Sequence, residues 1–248
     1  MFFRIICLVS MSVLLAGCAT NRLANGKLDP AYSQNTVNVK ALELSRENPL
    51  HVSVPQTNAV YSGGLLGAVI AAGVSASATA VSHGLRKSKS EQIYDSVDEN
   101  TYNASIAQFR NTIKKAKWLK VDSLQKGTFE DLKQQRELIS GFSENLDGKF
   151  AATYYNWFVI GEYYQNLTQN FHFTITPYEN GKAQKPIYSV SLSSVYTPDN
   201  AQQAGPDILE QYDIWIENNN ATLKKAVNVT TADINKQLAE MLSDPYVE

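Results

Sequence analysis

The chain has 248 residues, 22 basic and 24 acidic side chains, a formal net charge of −2 and a hydrophobic fraction of 44%. Balanced charge, with Lys and Arg interspersed among acids, excludes the basic field of a nucleic-acid-binding domain, and the apolar fraction excludes a disordered chain. Two cysteines (Cys7, Cys18) and three histidines (His51, His83, His172) leave no pair at metal-ligand spacing, so no metal and no other cofactor is expected.

At the N-terminus Arg4 precedes an apolar run from Ile5 to about Leu14, and the small residues Ala16 and Gly17 stand before Cys18. A basic start, an apolar stretch and small residues make a secretory signal. The run is shorter than the roughly 20 residues of a membrane-spanning helix. Leu15, Ala16, Gly17 and Cys18 resemble the lipobox of the type II signal of bacterial lipoproteins. The resemblance implies removal of residues 1–17 and lipidation of Cys18. Two or more acyl chains, at about 0.8 kcal/mol per buried CH₂, make a firm anchor. By the same resemblance, Ala19 in place of an aspartate implies the outer membrane, with the domain facing the periplasm. The alternative is an ordinary signal, or an uncleaved anchor, with a coincidental cysteine. With Cys7 removed and Cys18 acylated, the mature domain has neither disulfide nor thiol and depends on an ordinary core.

Residues 18–48 read as the lipidated N-terminus and a flexible tether reaching roughly 30 Å, with room for a short strand at 37–42. Residues 49–248 read as one α+β domain. A brief alternating run at 50–54 ends at Pro55 as a strand. Segment 62–84 has no formal charge, and Gly64, Ala68, Ala72, Ala76 and Ala80 recur every four residues. On a helix that spacing forms one ridge almost bare of side chain, which permits close backbone approach and self-association. Three readings stand: a helix packed against its own domain or a sister subunit, a helix inserted into a bilayer within an oligomer, and a Gly/Ala/Ser loop.

From 91 to 116 the pattern is helical, with Tyr102, Ile106, Phe109, Ile113 and Ala116 on one face. A strand is expected at 118–121. Thr128 to Asp131 reads as a capping signal for a helix carrying Leu132, Ile139 and Phe142. The strongest β signal follows at 153–165. Phe171, Phe173 and Ile175 then alternate with His172, Thr174 and Thr176, and Asn180-Gly181 supplies a turn. Tyr188, Val190, Leu192 and Tyr196 alternate with Ser189, Ser191 and Ser193. This predicts an antiparallel meander of about three to five strands, one face apolar and the other Ser/Thr-rich, packed with several helices. Gly205-Pro206 opens a last helical region, with stripes Leu209, Tyr212, Ile216 and Leu223, Val227, Ile234, Leu238, Met241, broken at Asn218-Asn219-Asn220.

The order of elements, with residues 156–162 leading to a hairpin around Asn180-Gly181, resembles the α/β domain of TolB-like and curli-secretion-like lipoproteins over about residues 50–200. A fold of that kind does not give a function.

No G-x-S-x-G elbow, HExxH or phosphate-binding loop occurs, so no enzyme is expected, although sequence does not exclude a triad assembled from distant residues. The densest aromatic cluster divides by alternation. Tyr155, Trp157 and Tyr163 go to one face, and Tyr154, Phe158 and Tyr164 go to the other. It is read either as a central strand buried on both faces or as an aromatic platform for a protein or glycan. The functional expectation is a lipid-anchored, non-enzymatic accessory or assembly component of an envelope complex, with an envelope protein or a second copy as partner. The alternatives are a membrane-inserting oligomer through 62–84 and an envelope glycan-binding module or hydrolase.

Overall fold

The computed structural model describes residues 26–47, 49–52, 92–93, 99–144, 146, 148–161, 164–201 and 208–246. The lipobox residues Leu15, Ala16, Gly17 and Cys18 lie outside the described residues, as does 62–84 with Gly64, Ala68, Ala72, Ala76 and Ala80.

The chain is α+β, with one mixed sheet. Its strands are β1 (Val37–Arg46), β2 (Leu50–Val52), β3 (Leu119–Phe129), β4 (Lys149–Ile160), β5 (Leu167–Glu179), β6 (Lys182–Ala183) and β7 (Tyr188–Tyr196). Its helices are α1 (Glu99–Lys115), α2 (Leu132–Ser143) and α3 (Ile208–Ser243). The order is β3-β1-β4-β5-β6, with β2 paired to β4 and β7 to β5. β1 and β2 lie in succession along one edge of β4, both parallel to it. β6 and β7 lie in succession along the free side of β5, both antiparallel.

β4, β5 and β7 are the expected antiparallel meander; β1, β2 and β3, expected as short strands at 37–42, 50–54 and 118–121, add a parallel half whose pairing sequence pattern does not reveal. The cause lies in β1. Its alternate positions face two covered layers, so Val37, Val39 and Ala41 are buried on one side and Leu42 and Leu44 on the other. Apolar and polar residues alternate from Val37 to Ala41 and again from Leu42 to Ser45, but in opposite phase, so the run as a whole presents no single apolar face.

The expectation of a flexible tether through residue 48 is corrected accordingly. The described residues begin at Gly26, whose N–H donates to the Ser189 carbonyl at 2.8 Å. The Leu28 N–H donates to the Pro245 carbonyl and the Asp29 N–H to the Ile187 carbonyl. Asp29 caps a 3-10 turn, Pro30–Tyr32, and β1 follows.

One face of the sheet carries the main core. Tyr154, Phe158, Phe171, Phe173, Tyr188 and Val190 meet Ile106 and Phe109 of α1 and Leu223, Val227, Ile234 and Leu238 of α3. Buried aromatic and aliphatic side chains of that size, at about 1.5–3 kcal/mol each, dominate the stability of a domain without disulfides. The helical stripe Tyr102, Ile106, Phe109, Ile113 and Ala116 is buried throughout, as its spacing predicts. The opposite face holds a smaller cluster of Leu42, Leu44, Phe129, Phe142, Leu146, Ala151 and Tyr178, where α2 lies over β3 and β1.

Two local boundaries differ from expectation. Thr128 and Phe129 belong to β3, because pairing of Arg46 with Phe129 carries the strand to its end. Asp131 is the cap of α2, accepting from the N–H groups of Lys133 and Gln134 at 2.8 Å. α3 is two helical stretches joined at Glu217–Asn220, where Asn218, Asn219 and Asn220 have φ of 51°, 57° and 60°. Asparagine tolerates this left-handed region better than other side chains, so the Asn triplet turns the helix where the sequence predicted a break.

Candidate functional site

Alternation along β4, β5 and β7 sends one set of side chains into the main core and the other set to the opposite face. α2 lies over β3 and β1, and its cluster takes in Ala151 of β4 and Tyr178 of β5, with Tyr155 packed at its margin. Among the described residues no helix packs extensively over this face beyond that margin, towards Trp157, Val159 and the β7 side chains. Strand register arranges this part in rows. Thr153, Thr174 and Ser189 form one, Tyr155, His172 and Ser191 the next, and Trp157, Asn170 and Ser193 a third. At the far end Val159 stands beside His51 on one side and Thr168 and Val195 on the other.

The aromatic members are ordered by contact. Tyr155 and Trp157, two residues apart on one strand, stack at 5.0 Å between ring centroids and 17° between planes. The His172 ring lies 5.6 Å from Tyr155. Both His172 nitrogens are engaged, Nδ1 with the Ser191 hydroxyl at 2.8 Å and Nε2 with the Thr174 hydroxyl at 2.7 Å. A neutral imidazole has one donor and one acceptor nitrogen, and a hydroxyl can satisfy either. Burial holds the His172 pKa below its ordinary value, which keeps the ring neutral. The result is a fixed plate of three rings bordered by hydroxyls and the Asn170 amide. Tyr155, Trp157 and His172 are half-buried, whereas Ser191, Ser193 and Val195 are exposed. Val195, at 58% exposure, is among the most exposed large apolar side chains of the described residues.

Ser191 and His172 have the contact of a nucleophile and its base, but the second His172 nitrogen meets a threonine hydroxyl. A catalytic triad uses a carboxylate there, to orient the ring and to stabilise the imidazolium. Among the described residues no group of His, Cys, Asp or Glu is placed to hold a metal ion. An open cleft of about 510 Å³ lies between α2 and β3, with Gln125, Thr128, Gln134 and Glu137 over Leu138 and Phe142. It gathers no convergent set of reactive groups.

Two polar centres lie inside the main core. The Glu43 carboxylate, 4% exposed, accepts from Arg110 Nε and Nη2 at 2.7 Å each and from the Tyr154 hydroxyl at 2.8 Å. Hydrogen bonding to Glu43 raises the Arg110 pKa, and desolvation followed by the Glu43 charge raises that of Tyr154. In the second centre Gln169 donates to the Ser105 hydroxyl and accepts from Thr230 and Thr231, tying β5 to α1 and α3. The Glu43 centre is satisfied by protein groups; beside the second, Asn156 donates to the Ser105 hydroxyl at 3.4 Å while its buried Oδ1 has no partner among the described residues, and both centres read as framework. Sequence pattern gives no sign of Glu43, which stands within the stretch expected to be tether.

The division of the aromatic cluster follows the expected alternation. Tyr154, Phe158 and Tyr164 are fully buried, and Tyr155 and Trp157 stand on the other face. Tyr163 lies outside the described residues. Expected as a polar-face residue, His172 takes up that position and adds two hydrogen bonds that spacing alone does not reveal.

No protein-family model matches the chain, and no curated protein matches it. A solved structure of a hypothetical protein from Chlamydia trachomatis is 7% identical, with 81% of this chain and 99% of that chain covered and a TM-score of 0.24. A likeness at that score carries no argument about fold or function.

Proposed function

We propose that this is a lipid-anchored cell-envelope protein that works without catalysis, holding an envelope partner against the β4–β5–β7 face. The observation that carries the reading is the plate of Tyr155, Trp157 and His172, which starts at the margin of the α2 cluster and extends over a part of the face that no described helix packs extensively against. Aromatic side chains supply large contact area at low entropic cost and are favoured anchors of protein interfaces. The surrounding hydroxyls offer donors and acceptors without the desolvation cost of charge. The lipobox-like Leu15, Ala16, Gly17 and Cys18 supply the anchor, and by the same resemblance the outer membrane facing the periplasm is the location.

Among the described residues no helix is long and apolar enough to cross a membrane. Insertion through 62–84 therefore rests on a segment outside the described residues, and the partner-binding reading stands ahead of it. A glycan is the second occupant that stacked rings among hydroxyls suit.

Two variants test the reading. Cys18→Ser, exported by an ordinary cleavable signal, is expected to leave the membrane on alkaline carbonate extraction, while the native chain stays. Trp157→Ala is expected to remain folded and anchored but to lose its crosslinked partner. Retention of the Cys18→Ser variant in the pellet contradicts the lipid as the sole anchor and puts insertion through 62–84 first; an unchanged partner profile in Trp157→Ala contradicts the face.

A further inference from the structure

We propose that the end of the sheet where the chain enters rests on the phospholipid surface that holds Cys18; this depends on the lipid-anchor reading above. The first described residue, Gly26, is pinned to the edge of β7 through the Ser189 carbonyl, and Leu28 is pinned to Pro245 just beyond α3. Gly26 has φ +74°, and a Cβ there would stand 2.9 Å from Met241 Sδ, so the entry point is wedged between β7 and α3. Seven residues, 19–25, separate Cys18 from it. At most about 3.3–3.6 Å per residue, eight steps span less than about 29 Å. β4 alone, with twelve residues, is longer than that at about 3.4 Å per residue. The domain therefore cannot turn freely above the bilayer, and the entry end is the one held close.

Register shows what shares that end. Val37 of β1 lies beside Leu119 of β3, Val39 beside Phe150 of β4, Lys149 opposite Tyr178 of β5, and Ile175 opposite Tyr188 of β7. The end of α1 is there too, because residues 116–118 lead directly into β3, and Trp118 Nε1 donates to the Leu242 carbonyl of α3. Lys114, Lys115 and Lys117 are exposed after α1, and Lys149, Lys182 and Lys185 around the start of β4 and the β5–β6 hairpin. Glu144, Glu179, Glu240 and Asp244 share this end, so the basic excess is small and the short tether sets the orientation. Phospholipid headgroups with an anionic component match that excess. The opposite end, with Glu47, Glu130 and Asp131, then faces away, and the β4–β5–β7 face stands at the side of the domain.

The test uses the full lipidated chain in vesicles containing phosphatidylglycerol and a nitroxide-headgroup lipid. Because Cys18 is consumed by the lipid, a single introduced thiol can carry a fluorophore, at Lys185→Cys near the entry end or at Lys133→Cys at the start of α2. Retention on vesicles in 1 M salt, read by sedimentation, reports the anchor separately from the orientation. The proposal expects retention, with quenching several-fold stronger at Lys185→Cys than at Lys133→Cys. Retained protein with equal quenching at the two positions, or stronger quenching at Lys133→Cys, overturns the orientation alone. Loss from the vesicles overturns the anchor and the orientation together.

Discussion

Replacing Glu43 by alanine removes the acceptor at the centre of the β1–β4–α1 junction. Its carboxylate accepts two bonds from Arg110 and one from Tyr154, and Lys126 stands 3.7 Å away. Breaking one side of a buried ion pair costs about 3–5 kcal/mol. Arg110 keeps 22% side-chain exposure, so water takes up part of the abandoned charge and the lower end applies, about 3 kcal/mol. The Tyr154 hydroxyl, on a residue only 1% exposed, loses its acceptor and adds about 1 kcal/mol. Against a domain stability of about 5–15 kcal/mol the sum is large. With a urea slope of about 2.5 kcal/mol/M, the unfolding midpoint of Glu43→Ala is expected to fall by about 1.5 M at neutral pH. Glu43→Ala with Arg110→Met is expected to be less destabilised than the sum of the two single variants, since no buried charge is left unpaired. A loss below about 1 kcal/mol in Glu43→Ala, measured by urea unfolding followed by far-UV circular dichroism, refutes the assignment of this pair as a buried framework centre.

Gln169→Leu strips an acceptor from Thr230 and Thr231 and a donor from Ser105, and is expected to cost about 2–3 kcal/mol in the same assay. Gly181 has φ +69°, and a Cβ there would meet nothing within 4 Å, so Gly181→Ala should cost only the backbone strain, about 1 kcal/mol, read as a drop in thermal midpoint. His172 has a folded pKa below its unfolded value of 6.5, so the unfolded chain binds more protons in acid. Stability is therefore expected to fall as pH drops below about 6.5, until the lowered folded pKa is passed, and His172→Gln should flatten that part of the pH profile.

The meander is legible in the sequence because β4, β5 and β7 each have one buried and one open face, and the hairpin because Asn180 and Gly181 both take positive φ. α1 and the second stretch of α3 are legible from helical spacing. In β1 the alternation reverses phase at Ala41-Leu42, so only a short strand at 37–42 is legible, and Glu43 and the parallel pairing of the sheet are not. The full length of β3 is hidden for a different reason. It lies at the sheet edge, where Lys120, Asp122, Gln125 and Lys126 keep it polar, so pairing with β1 rather than composition makes it a strand. In the candidate site, alternation separates Tyr155 and Trp157 from Tyr154 and Phe158. The clasp of His172 between Ser191 and Thr174 depends on the β5–β7 register, which no local signal specifies.

The central claim is that the β4–β5–β7 face holds a partner, and in-cell photocrosslinking reads it most directly. A photoreactive residue is placed at Ser193, exposed on that face, and in a second strain at Lys224, exposed on α3. A discrete higher-mass adduct from Ser193, absent from Lys224 and abolished by Trp157→Ala, is the predicted result. No adduct from Ser193, or equal adducts from both positions, contradicts it.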